Sequence, residues 1–220
     1  MISVKVVAFV PLKLNNERLP GKNLKPFDNG RPLLSYILDT AVRVNELDEI
    51  YCYCSDSSVI EYLPGGVIFL ERSTKLDQST TSITEVISNF TAEVEADIYV
   101  LIHATAPFIS VENIEEGVHA IKKREHDSAL SVKKNQEFLW LGNKPMNYDL
   151  YNIPRIQDLD PFYIETTGMY IFTKNLAKQD RRIGDRPFLV EVSDIEAIDI
   201  NNPSDFEIAN AVFNHIVLKK

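Results

Sequence analysis

VKVVAFVPLKLNNERLPGKNLKPFDNGRPLL, residues 4–34, sets an apolar run against a long loop carrying Lys13, Arg18, Lys22 and Lys25, with Gly21 among them. The run at 6–10 is short, unbroken and mostly β-branched, which is how a strand covered on both faces reads. The same alternation repeats outward from it. EIYCYC (49–54), VIFL (67–70), DIYVLIH (97–103) and SALSV (128–132) are further apolar runs, separated by amphipathic stretches at 32–44, near Ser58, at 80–94 and at 111–123. This pattern predicts an α/β fold, Rossmann-like, with a mainly parallel sheet and helices on both faces. After Val132 the rhythm breaks. Residues 133–164 are polar with scattered aromatics and read as an inserted arm in a single domain spanning 1–220. Sheet-like runs return at GMYIF (168–172) and EAIDI (196–200). A last helix begins with Asn202 as N-cap, Pro203 at the first helical position and Asp205 in the first turn, with an apolar stripe of Phe206, Ala209, Phe213 and Ile216.

With 45% hydrophobic residues, the 220-residue chain can fill one substantial core. Its 32 acidic against 23 basic residues, net charge -9, argue against nucleic acid or an anionic membrane surface as partner, since phosphate-coated partners are repelled at long range. No apolar segment approaches the roughly 20 residues that span a bilayer. The sequence opens on the strand-like ISVKVVAFV rather than a leader, so the expected location is cytoplasmic. Cys52 and Cys54 alternate on one face of a strand without nearby histidines and read as buried free thiols rather than a zinc site. His119, His126 and His215 are scattered and mark no site.

The basic loop is therefore a local feature in an acidic chain. In open α/β sheets, ligands bind beyond the carboxyl ends of the strands. Lys13, Arg18 and Lys22 fall there. Neither G-x-G-x-x-G nor a P-loop is present, so charged side chains must do what glycine-rich backbone does elsewhere.

RLPGKN (18–23) after a proline-ended strand resembles the nucleotide-binding signature of the acylneuraminate cytidylyltransferases, the CMP-sialic acid synthetase family. YCYCSDSSVI (51–60), LIHATAPF (101–108), RIQDLDPFYIETTGMYIF (155–172) and EAIDINNPSDFEIA (196–209) resemble that family's later motifs, in order and across nearly the whole chain. The resemblance implies a nucleotidyltransferase fold of the glycosyltransferase-A-like kind, with the arm serving homodimerisation. It implies CTP and an acidic sugar as substrates, pyrophosphate release, a CMP-sugar product and Mg2+ as cofactor. Phosphoryl transfer is catalysed mainly by positioning and charge neutralisation, which suits these residue types. Carried over by position, Lys22, Arg18 and Asp199 are the catalytic candidates. Leu12, Lys13, Asn23, Arg72, Ser82 and Thr105 fall at the nucleotide, and His103, Arg155, Gln157, Thr166 and Thr167 at the sugar. Asp199 and Asn201 fall at the metal, as alternate residues facing one side of an expected strand.

The chain departs from the family pattern in places. Lys13 replaces an arginine, Asn16 and Glu17 replace a Ser-Lys pair, and His103 replaces a glutamine. Thr166, Thr167 and Gly168 stand for Asn-Gly-Ala, and Asn201 for a second aspartate. The sugar-side changes leave the acidic sugar open and keep a small phosphorylated metabolite as an alternative acceptor. Glu17 and Asn201 keep open a nucleotide-binding protein without catalysis. Asp205 also reads as a plain helix cap, Arg155 as a solvated charge, and His103 as a structural histidine.

Overall fold

The computed structural model describes residues 4–216. The start of the ISVKVVAFV run lies outside them. Six strands run parallel: β1 (Val6–Leu12), β2 (Glu49–Cys54), β3 (Val67–Glu71), β4 (Ile98–Ile102), β5 (Ser128–Asn135) and β9 (Pro187–Glu191). A seventh, β8 (Phe162–Thr173), is antiparallel to β4 and β5, and the sheet order is β3-β2-β1-β4-β8-β5-β9. The short pair β6 (Trp140–Leu141) and β7 (Lys144–Pro145) stands apart in the arm.

Helices cover both faces, as the sequence predicts. On one side α1 (Leu33–Ala41) and α3 (Val111–Lys122) bury Ile37, Leu38, Ile114 and Val118 against Ala8, Val10, Val100 and Ile171. On the other, α2 (Ile83–Glu93) and α4 (Lys174–Ala177) bury Ile87, Phe90 and Leu176 against Phe9, Tyr99 and Phe172. Phe90 stacks on Phe9 with ring centroids 4.1 Å apart. Cys52 and Cys54 are buried free thiols among the first set, and burial pushes the Cys52 thiol up to about 12.

A third core joins the two ends of the chain. α5 (Pro203–His215) lays Phe206, Ala209 and Phe213 on Leu19, Phe27, Leu33 and Tyr36. Its start is fixed by a capping box: Asn202 accepts from the Asp205 backbone, while the Asp205 carboxylate accepts from the backbone N–H of Asn201 (2.8 Å) and Asn202 (3.0 Å). Ile216, counted in the apolar stripe from sequence, is the C-cap and is 40% exposed.

Two expectations change. EAIDI is not a strand. Ser193 and Glu196 form a capping box that curls residues 194–197 into a turn, and the Ile200 N–H meets the Thr105 carbonyl in the loop after β4 at 2.8 Å instead of pairing with a strand. The edge strand is β9 instead, a PFLVE run that the sequence reading passed over. The excursion from the sheet is also narrower than 133–164, because β5 continues to Asn135 and β8 resumes at Phe162.

Gly168 sits on β8 where a Cβ would lie 2.7 Å from Ile109 Cδ1, 3.0 Å from its Cγ1 and 3.3 Å from Ser131 Oγ. Gly168→Ala should destabilise the fold by about 1–3 kcal/mol through overpacking, read as a lower urea midpoint at unchanged slope. An unchanged midpoint would show that the Ile109 side chain yields freely.

Candidate active site

The carboxyl ends of β1, β2, β3 and β4 deliver Leu12, Ser55, Arg72 and His103 to one rim of the sheet. A cleft of about 270 Å³ there is lined by Leu12, Lys13, Asn16, Lys22, Asn23, Arg72, Gln78, Ser79, Thr81, His103 and Thr105 among others. A second hollow of about 320 Å³ shares Lys13, Asn16, Lys22 and Ser79 with it and adds Glu17, Arg18 and Asn201. A larger hollow of about 890 Å³ lies between α1, α3 and α5, lined by none of these cations.

The cleft's cations are held without being neutralised. Lys13 Nζ donates to the Asp77 carbonyl (3.0 Å), Lys22 Nζ to the Ile200 carbonyl (2.8 Å), and Arg18 to Asn201 Oδ1 (2.8 Å). Each partner is a neutral oxygen. Burial lowers the Lys22 pKa and Arg18 lowers it further, while Asp199 and Asp205 oppose the fall. Arg72 differs: it is buried and paired with the Asp77 carboxylate at 2.6 Å. Asp77 also accepts from Ser55 at 2.5 Å, and its carbonyl takes Asn15 as well as Lys13. Sequence reading missed Asp77, together with the neighbouring Gln78, Ser79 and Thr81. Their signal was a polar stretch directly behind Arg72.

Asp199 closes the other side. Its Oδ2 accepts from Asn201 Nδ2 (2.7 Å) and Thr167 Oγ1 (3.1 Å), and Thr167 takes a left-handed φ of 57° to make that contact. Its Oδ1 is buried with no hydrogen-bond partner. Asp199 and Asn201 thus meet as expected, though on a turn's exit and not on a strand, and the Asn201 oxygen faces Arg18. Asp205 serves the α5 cap. Leu12 is buried in the wall and Asn23 is buried with its amide on the Lys13 carbonyl (2.9 Å).

Every buried side-chain nitrogen or oxygen left without a partner among the described residues belongs to this region: Asn16 Oδ1, Asn23 Oδ1, Arg72 Nε, His103 Nε2 and Asp199 Oδ1. Buried polar atoms are normally satisfied, so such a concentration marks a ligand's place. Among the described residues no three His, Cys, Asp or Glu side chains converge into a metal cage.

Other candidates lie apart. Ser82 caps α2, exchanging bonds with Glu85, and does not line the cleft. Thr166 is buried with its hydroxyl on Ser131 (2.8 Å). Arg155 and Gln157 are exposed on the arm. Arg155 is 73% exposed along its side chain and closes on Asp158 at 2.7 and 2.9 Å.

The six parallel strands, the one reversed strand and the cation-lined rim define a nucleotidyltransferase of the α/β class. The chain belongs to the cytidylyltransferase family, whose model matches residues 7–178. It is 27% identical over 180 residues to an N-acylneuraminate cytidylyltransferase of Oncorhynchus mykiss, covering 77% of this chain but only 41% of that enzyme. It is 24% identical over 223 residues to a CMP-N,N'-diacetyllegionaminic acid synthase of Legionella pneumophila, covering 93% and 94% of the two. In fold it matches CMP:2-keto-3-deoxy-manno-octonic acid synthetase complexed with CTP at a TM-score of 0.70, with 15% identity over 96% of this chain and 98% of that one. The enzyme class expected from sequence, a CTP-dependent nucleotidyltransferase, is that of the family. No helix among the described residues is long and apolar enough to cross a membrane.

His103 gives the site a pH signature. Burial foremost, and the nearby positive charge of Arg182, hold its imidazole down at about 4. The unfolded chain takes up a proton near pH 6.5 that the folded chain refuses until about pH 4. Stability contributed by neutral His103 should therefore be full above pH 6.5 and fade as pH falls toward 4. Urea unfolding at pH 7 and pH 5 should show a loss that His103→Gln reduces, and an equal loss in both proteins would place His103 in solvent.

Proposed function

We propose that this protein transfers CMP from CTP to a hydroxyl of an acidic sugar of the nonulosonic or 2-keto-3-deoxy acid class, releasing pyrophosphate. The observation that carries the reading is the cluster of unpartnered polar atoms beside three cations that face no carboxylate of their own. The phosphates of CTP would meet the cations and the free Arg72 N–H, while its ribose hydroxyls and cytosine amino group, or a bound cation, would meet the free amide and carboxylate oxygens. The names of the family's relatives supply the acceptor class.

In the reaction the acceptor oxygen bonds to the α-phosphorus, the bond from that phosphorus to the bridging oxygen breaks, and the hydroxyl proton passes to solvent. Lys22, Arg18 and Lys13 neutralise charge that grows on the phosphates as the bridging oxygen leaves. Asn23 and Asn16 offer free amide oxygens, and Arg72, locked by Asp77, offers a rigid donor; these hold the nucleoside so that the α-phosphorus meets the acceptor. A base preference for cytosine comes to this chain with its family.

The free, buried Asp199 Oδ1 fits Mg2+, a hard cation that favours carboxylate oxygen. Asp199 would hold it together with phosphate oxygens and water, and Asn201 would join only by turning its amide oxygen from Arg18. Bound there, the cation would screen the triphosphate and draw charge from its oxygens. Cytoplasmic residence accords with a nucleotide substrate.

The arm would form a homodimer. Leu141, Met146, Leu150, Tyr151 and Ile153 are each more than half exposed along it, more apolar surface than an isolated arm carries comfortably. Arg155 and Gln157 would reach the sugar pocket of the second copy. Sedimentation should give a dimer at micromolar concentration, and Leu141→Glu with Ile153→Glu should give a monomer. A wild-type monomer would refute the assembly.

A pyrophosphate-release assay across nucleoside triphosphates and acidic sugars tests the reaction. Lys22→Ala should lower kcat/KM for CTP roughly ten- to a hundredfold, the worth of one charge-assisted contact. Asp199→Ala should abolish most turnover and the response to added magnesium. Unchanged kinetics in Lys22→Ala would overturn the phosphate cradle.

A further inference from the structure

Arg182, which follows α4, enters neither the family resemblance nor the cleft lining described above. Its guanidinium lies 3.8 Å from the centroid of the Tyr170 ring. Tyr170 is 1% exposed in β8, opposite Leu101 of β4, and its hydroxyl is tied to Glu165 at 2.9 Å, so the ring is a fixed platform. The edge of the same ring meets His103, centroids 6.3 Å apart and nearly perpendicular. Arg182 and the unpartnered His103 Nε2 are therefore gathered on one aromatic ring, with His103 on the wall of the cleft that Lys13 and Lys22 also line and Arg182 outside that lining. Among the described residues Arg182 makes no ion pair.

We propose that Arg182 is a specificity-determining residue that binds the carboxylate of the acidic acceptor from within the same subunit, with the unpartnered His103 Nε2 beside it as a hydrogen-bonding partner. The proposal rests on the acidic-sugar reading above. A guanidinium stacked on a ring has one face desolvated and its N–H fork free in the plane, the geometry that suits a carboxylate. The triphosphate already has its cations on the β1 side. Arg155, the other arginine weighed for this task, is closed on Asp158 in its own chain. The positive charge of Arg182 also helps keep His103 neutral, so the imidazole can donate or accept without adding charge.

The test is steady-state pyrophosphate release by the full chain, with CTP saturating and acceptor varied, and then the reverse. The acceptors are N-acetylneuraminic acid, legionaminic acid and 2-keto-3-deoxy-manno-octonic acid, each with its carboxamide. The wild type should prefer acid to carboxamide at least tenfold. Arg182→Met, which keeps a stem on Tyr170, should raise the acceptor KM roughly ten- to a hundredfold and erase that preference, with the CTP KM within about twofold. Arg182→Lys should fall between. Equal use of acid and carboxamide by the wild type overturns the proposal without any variant. An unchanged acceptor KM in Arg182→Met, or a CTP KM that rises in step, overturns it as well. A wild type active on none of these acceptors overturns the acidic-sugar reading itself and this inference with it.

Discussion

The packing of Phe27 is the constraint on which the site depends. Its ring lies 5.0 Å from Tyr36, 5.1 Å from Phe206 and 5.8 Å from Phe213, joining the loop after β1, helix α1 and helix α5 in one aromatic knot. Leu19 and Ile200 are buried in the same core. Burying each such side chain contributes about 1.5–3 kcal/mol, enough to fix the loop, which its own turn hydrogen bonds shape, against the rest of the fold. The consequence is chemical. Arg18 and Lys22 meet Asn201 and Ile200 because Leu19 and Ile200 are pulled into that knot between them.

The charge of the chain and the charge of its cleft have opposite signs, and the hydrogen bonds explain how both persist. A net charge of -9 spread over the surface keeps the molecule soluble and is screened within about 10 Å at ordinary salt. Inside the cleft, neutral carbonyl and amide oxygens orient Lys13, Lys22 and Arg18 without cancelling them. Arg72, with its own carboxylate, is a structural donor by comparison. Each unsatisfied buried polar atom costs about 1–3 kcal/mol. The fold concentrates that cost in one place, and a ligand that satisfies these atoms recovers it as affinity.

The sequence made most of the sheet and its two helix layers legible because β1, β2 and β4 are short apolar runs buried on both faces, and α1 and α3 carry clean apolar stripes. The errors near the site share one cause. Ser82 with Glu85, and Ser193 with Glu196, are both S-x-x-E capping boxes. The first made a helix cap out of a residue assigned to the nucleotide, and the second made a turn out of a stretch assigned to a strand. That local exchange of side-chain and backbone bonds outweighs a weak apolar run. Thr166 and Thr167 show a different limit. Adjacent in sequence, they part because one turns into Ser131 and the other takes a left-handed backbone toward Asp199, a choice made by the tertiary surroundings. Lys13, Lys22, Asn23 and Arg72 line one cleft, and Lys13, Lys22, Asn23, Arg72 and Asp199 were named from sequence through the motifs whose resemblance carried them, whereas Asp77 and Arg182 lie outside those motifs and owe their places to contacts across the fold.

The docking of α5 on the first loop also sets an order of events during synthesis. The sheet strands β1 to β4 and their helices are complete within the first half of the chain and can collapse as they emerge. The cleft cannot follow, since Arg18 and Lys22 find their oxygens only after residues 200 and 201 exist and α5 has capped them. A ligand that needs the finished rim cannot reward earlier intermediates, so until the last helix docks, the growing protein has the stability of its core alone.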